Sequence, residues 1–111
     1  MELETEQVGA AGVLRVAGRI TMAAAADLKA AVDAEVGAGR TLVVIDLTEA
    51  TFLDSSGLGA LVGGLRTARA AGGDLRIAGV GPQVLTVLEL TTMDRVLRPY
   101  ASVEDAVGDP A

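Results

Sequence analysis

Leu42-Val43-Val44-Ile45-Asp46-Leu47 is followed by Thr48-Glu49-Ala50-Thr51-Phe52-Leu53 and then by Asp54-Ser55-Ser56-Gly57-Leu58-Gly59. These three pieces decide the fold. The first, with Thr41 ahead of it, is apolar and β-branched without alternation, which suits a strand covered on both faces, as in a parallel sheet. The second reads as a short linker. The third reads as a helix start, because Ser and Asp oxygens accept hydrogen bonds from the first free backbone N–H groups. The helix runs to about Ala71, Gly72-Gly73 stops it, and Leu75-Arg76-Ile77-Ala78 is another strand. Strand, helix and strand make a right-handed crossover unit.

Working outward toward the N-terminus, residues 22–38 are Ala-rich with Leu28, Val32 and Val36 four apart, a helix with one apolar stripe. Thr21 stands where a cap belongs. Residues 13–17 form a strand that pairs across the Gly9-Ala10-Ala11-Gly12 turn with a weaker strand over residues 2–8. Gly18-Arg19-Ile20-Thr21 is expected to leave the sheet. Toward the C-terminus, Gly81-Pro82 opens a helix with Pro in its first turn and Val84, Leu85 and Leu88 on its apolar side. Thr91-Thr92 ends it, and Val96-Leu97 with Pro99-Tyr100 is a short edge strand or loop. Ser102-Val103-Glu104-Asp105 has capping-box spacing ahead of a last short helix. The fold class is therefore α/β: a mixed sheet of about four to five strands with a central parallel pair, and three to four helices. The whole chain, residues 1–111, is expected to be one domain, with its core in about 12–107 and a tail at 108–111.

Half of the residues are hydrophobic, mostly Ala, Val and Leu, and Phe52 and Tyr100 are the only aromatics, so the core is aliphatic. A net charge of -6 with scattered basic residues argues against nucleic acid and anionic membrane as partners. Charges interrupt the chain well short of the ~18 apolar residues that a span needs. Met1-Glu2-Leu3-Glu4 is acidic and lacks the shape of a signal peptide, so a cytoplasmic protein is expected.

The helix that begins at Asp54 carries the candidate site. At about 100° per residue, Leu58, Leu61, Val62 and Leu65 share one face, expected to pack on the sheet. The opposite face carries Ser56, Gly59, Ala60, Gly63 and Thr67, while Ser55 projects near Val62 and Arg66. Ser56 is then the hydroxyl expected in solvent, with Ser55 or Asp54 as the cap. Gly59, Gly63 and Gly64 each cost the helix roughly 1 kcal/mol relative to Ala. Either they bare a surface that a partner's backbone approaches, or they let the helix lie tight on its neighbours. A phosphate on Ser56 would add about -1.5 to -2 charge. A helix N-terminus tolerates that charge, whereas a flat docking surface carrying it would repel an acidic partner.

Gly18-Arg19-Ile20-Thr21, Val43-Val44-Ile45-Asp46-Leu47, Thr51-Phe52-Leu53-Asp54-Ser55-Ser56-Gly57-Leu58-Gly59, Gly72-Gly73 before a strand, and Leu88-Glu89-Leu90 ahead of Asp94-Arg95-Val96 resemble, in that order, the anti-sigma factor antagonists of the STAS class. The resemblance covers residues 12–107. It implies a STAS-like fold and a cytoplasmic partner switch. In that switch the unphosphorylated protein binds an anti-sigma factor that is also a serine kinase and so releases a sigma factor. The kinase phosphorylates the serine directly before the glycine, here Ser56 with Ser55 as runner-up, and a serine phosphatase reverses it. The implied partner surface comprises Thr21, Asp54, Ser55, Ser56, Gly57, Gly59, Ala60, Gly63 and Thr67, on a monomer or weak dimer. Thr21 stands where relatives often carry Asp, and Thr92 near where a glycine is common after the third helix. Other STAS domains are scaffold subunits of signalling or lipid-transport assemblies. In that alternative, Ser56 would be a structural cap.

No independent enzymatic activity is expected. The chain has no His and no Cys, and Ser55 and Ser56 lie in no nucleophile elbow. No Gly-Lys-Ser/Thr follows the glycines, so there is no P-loop and no cofactor is expected. Asp46 and Asp54 near strand ends read as turn former and cap in preference to metal ligands.

Overall fold

The computed structural model describes residues 1–110. Strands β1 (Glu2–Val8) and β2 (Ala11–Ile20) form an antiparallel hairpin, with Leu3 opposite Val16 and Val8 opposite Ala11. Its turn is only Gly9-Ala10, and Gly9 takes φ +61°, a left-handed conformation that suits glycine. There follow α1 (Met22–Gly37), β3 (Leu42–Asp46), β4 (Ala50–Leu53), α2 (Ser55–Ala70), β5 (Asp74–Ala78), α3 (Pro82–Leu90), a 3-10 turn at Met93–Arg95, β6 (Pro99–Tyr100) and α4 (Val103–Gly108). The strand order is β1-β2-β3-β5-β6, with β4 also on β2. Every pairing except the β1–β2 hairpin is parallel.

The α/β class with central parallel strands holds, but the sheet has six strands instead of four or five. The difference lies in β2 and β4. Gly18-Arg19-Ile20 does not leave the sheet. β2 runs on to Ile20, pairing first with β3 and then, from Gly18, with β4, a pairing whose register shifts between Gly18 and Arg19. The expected linker at residues 48–53 therefore contains a strand. Its four residues are too few to show a pattern, and the turn before it is tight. The Asp46 carboxylate accepts from the Thr48 amide at 3.0 Å and the Thr48 hydroxyl at 2.6 Å, and Gly18 N donates to Glu49 O at 3.0 Å.

The unbroken apolar run behaves as its composition dictates: Val43, Val44 and Ile45 are fully buried. The side of the sheet under α1, α2 and α3 holds the larger cluster, including Leu14, Ile20, Leu28, Val32, Leu61, Leu65 and Leu88. A smaller cluster of Val13, Val44, Ala78 and Ala106 lies under α4. On the outermost strand Leu3 and Val8 are half-buried, and Glu2, Glu4 and Glu6 point outward at every second position. Leu85 is exposed rather than packed with Val84 and Leu88. Thr92 ends α3 in the left-handed region at φ 56°. Ser102 Oγ accepts from Asp105 N at 3.1 Å and starts α4.

The expected boundaries of the core shift at both ends. The sheet starts at Glu2, ahead of residue 12. Gly108 closes α4, and Asp109 is tied down: its carbonyl accepts from Arg76 Nη1 at 2.6 Å and its carboxylate from the Tyr100 hydroxyl at 2.5 Å. The last residue of the expected tail, Ala111, lies outside the described residues.

One side chain closes the outer edge of β4. Gln83, in the first turn of α3, accepts from Leu53 N at 2.8 Å and donates to Leu53 O at 3.1 Å, replacing the partner that a further strand would supply. Removing both bonds leaves a part-buried N–H and C=O unpaired, so Gln83→Leu is expected to lower stability by about 1–3 kcal/mol. Urea denaturation followed by circular dichroism measures it, with an unchanged m-value marking a local effect.

Candidate functional site

β4 ends at Leu53, and Asp54 turns the chain into α2. Asp54 has the extended backbone of an N-cap, its Oδ1 accepts from Gly57 N at 2.9 Å, and its carbonyl accepts from Leu58 N at 2.9 Å. Its own N–H donates to Ile20 O at 3.2 Å, which sews the start of α2 to the end of β2. Gly57 lies directly over that junction. A Cβ there would stand 2.4 Å from Ile20 O and 2.7 Å from Leu53 Cδ1. Because Ile20 leads straight into Thr21 and α1, the N-termini of α1 and α2 sit side by side.

Asp54 is thus the cap, one of the two expected candidates, and neither serine is. Ser55 and Ser56 occupy the first two helical positions, where backbone N–H groups have no intrahelical acceptor. Their hydroxyls make no hydrogen bond among the described residues. The expected order of exposure is reversed: Ser55 is exposed and Ser56 half-buried. The buried face of α2 includes Gly57, Ala60, Gly64 and Ala68 beside Leu58, Leu61 and Leu65. Small residues at the contact with α1 rotate that face by somewhat under one residue's turn of about 100° relative to the large apolar positions alone. Ser56 then falls on the flank toward α1.

The same rotation corrects the expected partner surface. Gly57 and Ala60 are buried and offer nothing to a partner. Gly63 is covered by Lys29, whose Cε would stand 3.4 Å from a Cβ at that position. Lys29 Nζ donates to Thr67 Oγ1 at 3.1 Å and to Asp33 Oδ1 at 2.7 Å, so Thr67 belongs to the seam between α1 and α2. Gly64 serves close packing, since a Cβ would lie 3.1 Å from Leu75 Cδ1 and 3.2 Å from Val32 Cγ1. Gly59 alone of the four glycines of α2 is exposed with open space above it.

Thr21 occupies the N-cap position of α1, but its side chain makes no capping bond; its backbone carbonyl accepts from Ala24 N and Ala25 N at 3.0 Å. The surface left at this end consists of Thr21, Ser55, Ser56 and Gly59, with two contributors that sequence reasoning missed. Met22 is 75% exposed, and its signal was a large apolar residue opening an otherwise Ala-rich helix. Arg19 lies over the Phe52 ring at 4.2 Å from its centroid and flanks the surface with a cation. The carboxylates of Asp46 and Asp54 are occupied by the turn and the cap respectively. Among the described residues no group of three or more His, Cys, Asp or Glu is arranged to hold a metal, and no helix is long and apolar enough to cross a membrane.

A family model described as the STAS domain matches residues 2–106. The chain belongs to the STAS domain family. An anti-sigma-B factor antagonist of Listeria monocytogenes is 29% identical over 74% of this chain and 72% of its own. A crystal structure of an anti-sigma factor antagonist from Mycobacterium paratuberculosis superposes with a TM-score of 0.85 at 28% identity, covering 96% of this chain and 90% of that one. The Bacillus cell fate determinant SpoIIAA in its phosphorylated form shares the fold, with a TM-score of 0.74 at 22% identity and 96% of each chain covered.

The two glycines that flank Leu58 should respond oppositely to a methyl group. Gly57→Ala forces a Cβ into the Ile20 carbonyl and should cost about 1–3 kcal/mol. Gly59→Ala meets nothing and should stabilise by up to about 1 kcal/mol through helix propensity. Parallel denaturant melts of the two variants check the sign of each.

Proposed function

We propose that this STAS domain is an anti-sigma factor antagonist, working in the cytoplasm through the paired N-termini of α1 and α2. Unphosphorylated, it docks on an anti-sigma factor that is also a serine kinase and frees a sigma factor. Phosphorylation of Ser56 ends the complex, and a serine phosphatase restores it. The observation that carries this reading is the division of labour at Asp54-Ser55-Ser56: the fold uses the carboxylate as its cap and leaves both hydroxyls unengaged. The kinship with proteins named as anti-sigma factor antagonists supports the choice of partner.

The physics of such a switch is local. A phosphate on Ser56 lies beside the unpaired N–H groups of the first helical turn and the positive end of the helix dipole. The helix therefore accepts the charge, with Asp54 opposing it only in part because its carboxylate is already bonded to Gly57 N. A partner seated against Met22, Ser55 and Gly59 must desolvate the same dianion, and the complex is lost without unfolding either protein.

Incubation with the cognate anti-sigma kinase and ATP, followed by mass spectrometry of the peptides, should find one phosphate on Ser56 and none in Ser56→Ala. A phosphate confined to Ser55, or none, would refute the assignment of the site. In calorimetry Ser56→Ala should bind like the unmodified protein, and Ser56→Asp at least roughly tenfold more weakly, about 1.4 kcal/mol. Equal affinities for the two variants would refute the switch.

A further inference from the structure

At the far end of α2 four arginines from four segments converge. Arg69 comes from the last turn of α2, Arg76 from β5, Arg95 from the 3-10 turn, and Arg98 from the residue ahead of β6; they line a pocket of about 130 Å³ with Tyr100 and Leu97. The chain has nine basic residues against fifteen acidic ones, and four of the nine meet here. Among the described residues no carboxylate lines the pocket, the nearest being Asp74 at its rim and Asp109 on the Tyr100 hydroxyl. We propose that it binds a multiply charged oxyanion of the phosphate type.

The sheet provides the space. β6 pairs only with Ile77 and Ala78, so beside Asp74, Leu75 and Arg76 the edge of β5 has no neighbouring strand. Arg76 is the fixed member of the set. It is 9% exposed, its Nη1 donates to the carbonyls of Ala106 at 2.7 Å and Asp109 at 2.6 Å, and its guanidinium lies 5.6 Å from the Tyr100 ring centroid. Asp74, at the rim, offsets part of the charge through long contacts, 3.3 Å to Arg69 Nε and 3.4 Å to Arg76 Nε. Arg95 and Arg98 are exposed and make no ion pair among the described residues. Two unneutralised guanidinium forks beside a buried one suit a phosphate group, which accepts paired N–H bonds from each planar fork. Without an anion the charges of Arg95 and Arg98 have no counter-charge among the described residues, and a bound oxyanion supplies one.

The pocket is separate from the proposed docking surface. Arg69 follows Ser56 by thirteen positions in α2, or about 20 Å at 1.5 Å per residue. The inference therefore stands or falls independently of the proposed function.

The test is an NMR titration of the full chain at low ionic strength with inorganic phosphate, pyrophosphate and glycerol 3-phosphate. Pyrophosphate should give saturable shifts at the amides of residues 95–98 and Arg76. Arg95→Gln and Arg98→Gln combined should weaken it at least tenfold with the circular dichroism spectrum unchanged, while Arg66→Gln, on the same helix but outside the pocket, leaves it unaltered. Glycerol 3-phosphate binding more tightly than inorganic phosphate identifies an esterified phosphate as the ligand type; the reverse identifies the free anion. Shifts that never saturate, that centre on Ser55 and Ser56, or that persist in the double variant would overturn the proposal.

Discussion

The carbonyl of Ile20 is the point on which the arrangement turns. It receives the Asp54 N–H at 3.2 Å, and the helix above approaches it so closely that only a residue without Cβ fits at Gly57. Two parallel strands, β2 and β4, thereby end at one level and deliver two helix starts next to each other. The bond is modest in itself, on the order of 1 kcal/mol net. Its importance is geometric: it fixes the height and direction of α2 relative to α1. Leu53 is held from the other side by Gln83, and Asp54 satisfies the first turn. The backbone around the two serines is therefore determined from within the fold, and their hydroxyls are left over.

Much of this was legible in the chain. The β-branched run ending at Ile45 could only be a strand covered on both faces, Gly72-Gly73 and Gly81-Pro82 punctuated the helices where the structure does, and Asp54 capped as its chemistry dictates. β4 was hidden because Ala50-Thr51-Phe52-Leu53 is shorter than any periodicity can register, and because its partner is the last stretch of a strand that had seemed finished. The orientation of α2 is set by residues that hydrophobic periodicity does not weigh. Hydrophobicity weights leucines and valines as the buried face, whereas Gly57, Ala60, Gly64 and Ala68 are four of its seven buried residues. Small residues are where two helices approach most closely, and hydrophobicity alone does not mark them. For the same reason Gly57, Gly59 and Gly63 looked alike as letters but occupy an interior contact, open surface and the underside of a lysine.

The helix α2 thus has two ends of contrasting character. Its N-terminus offers unengaged hydroxyls, an exposed glycine and the adjacent Met22, a surface of low relief. Its C-terminus lies against a cluster of guanidinium groups in a protein that is otherwise acidic. Between them Lys29 bridges from α1 to Thr67 and covers Gly63, so the flank of α2 toward α1 is closed there. The larger hydrophobic cluster beneath keeps the spacing between the two ends constant.

The alternation of Glu2, Glu4 and Glu6 along β1 has a consequence for self-association. β1 is the terminal strand of the sheet, and an unpaired strand edge is a template for fibre growth and swapped dimers. Glu6 is paired with Arg15, but a second copy approaching edge to edge would still set Glu2 and Glu4 of each chain on a single face, where like charges oppose pairing. The acidity of the first six residues thus guards the open side of the sheet, and stable association through that side is disfavoured at neutral pH.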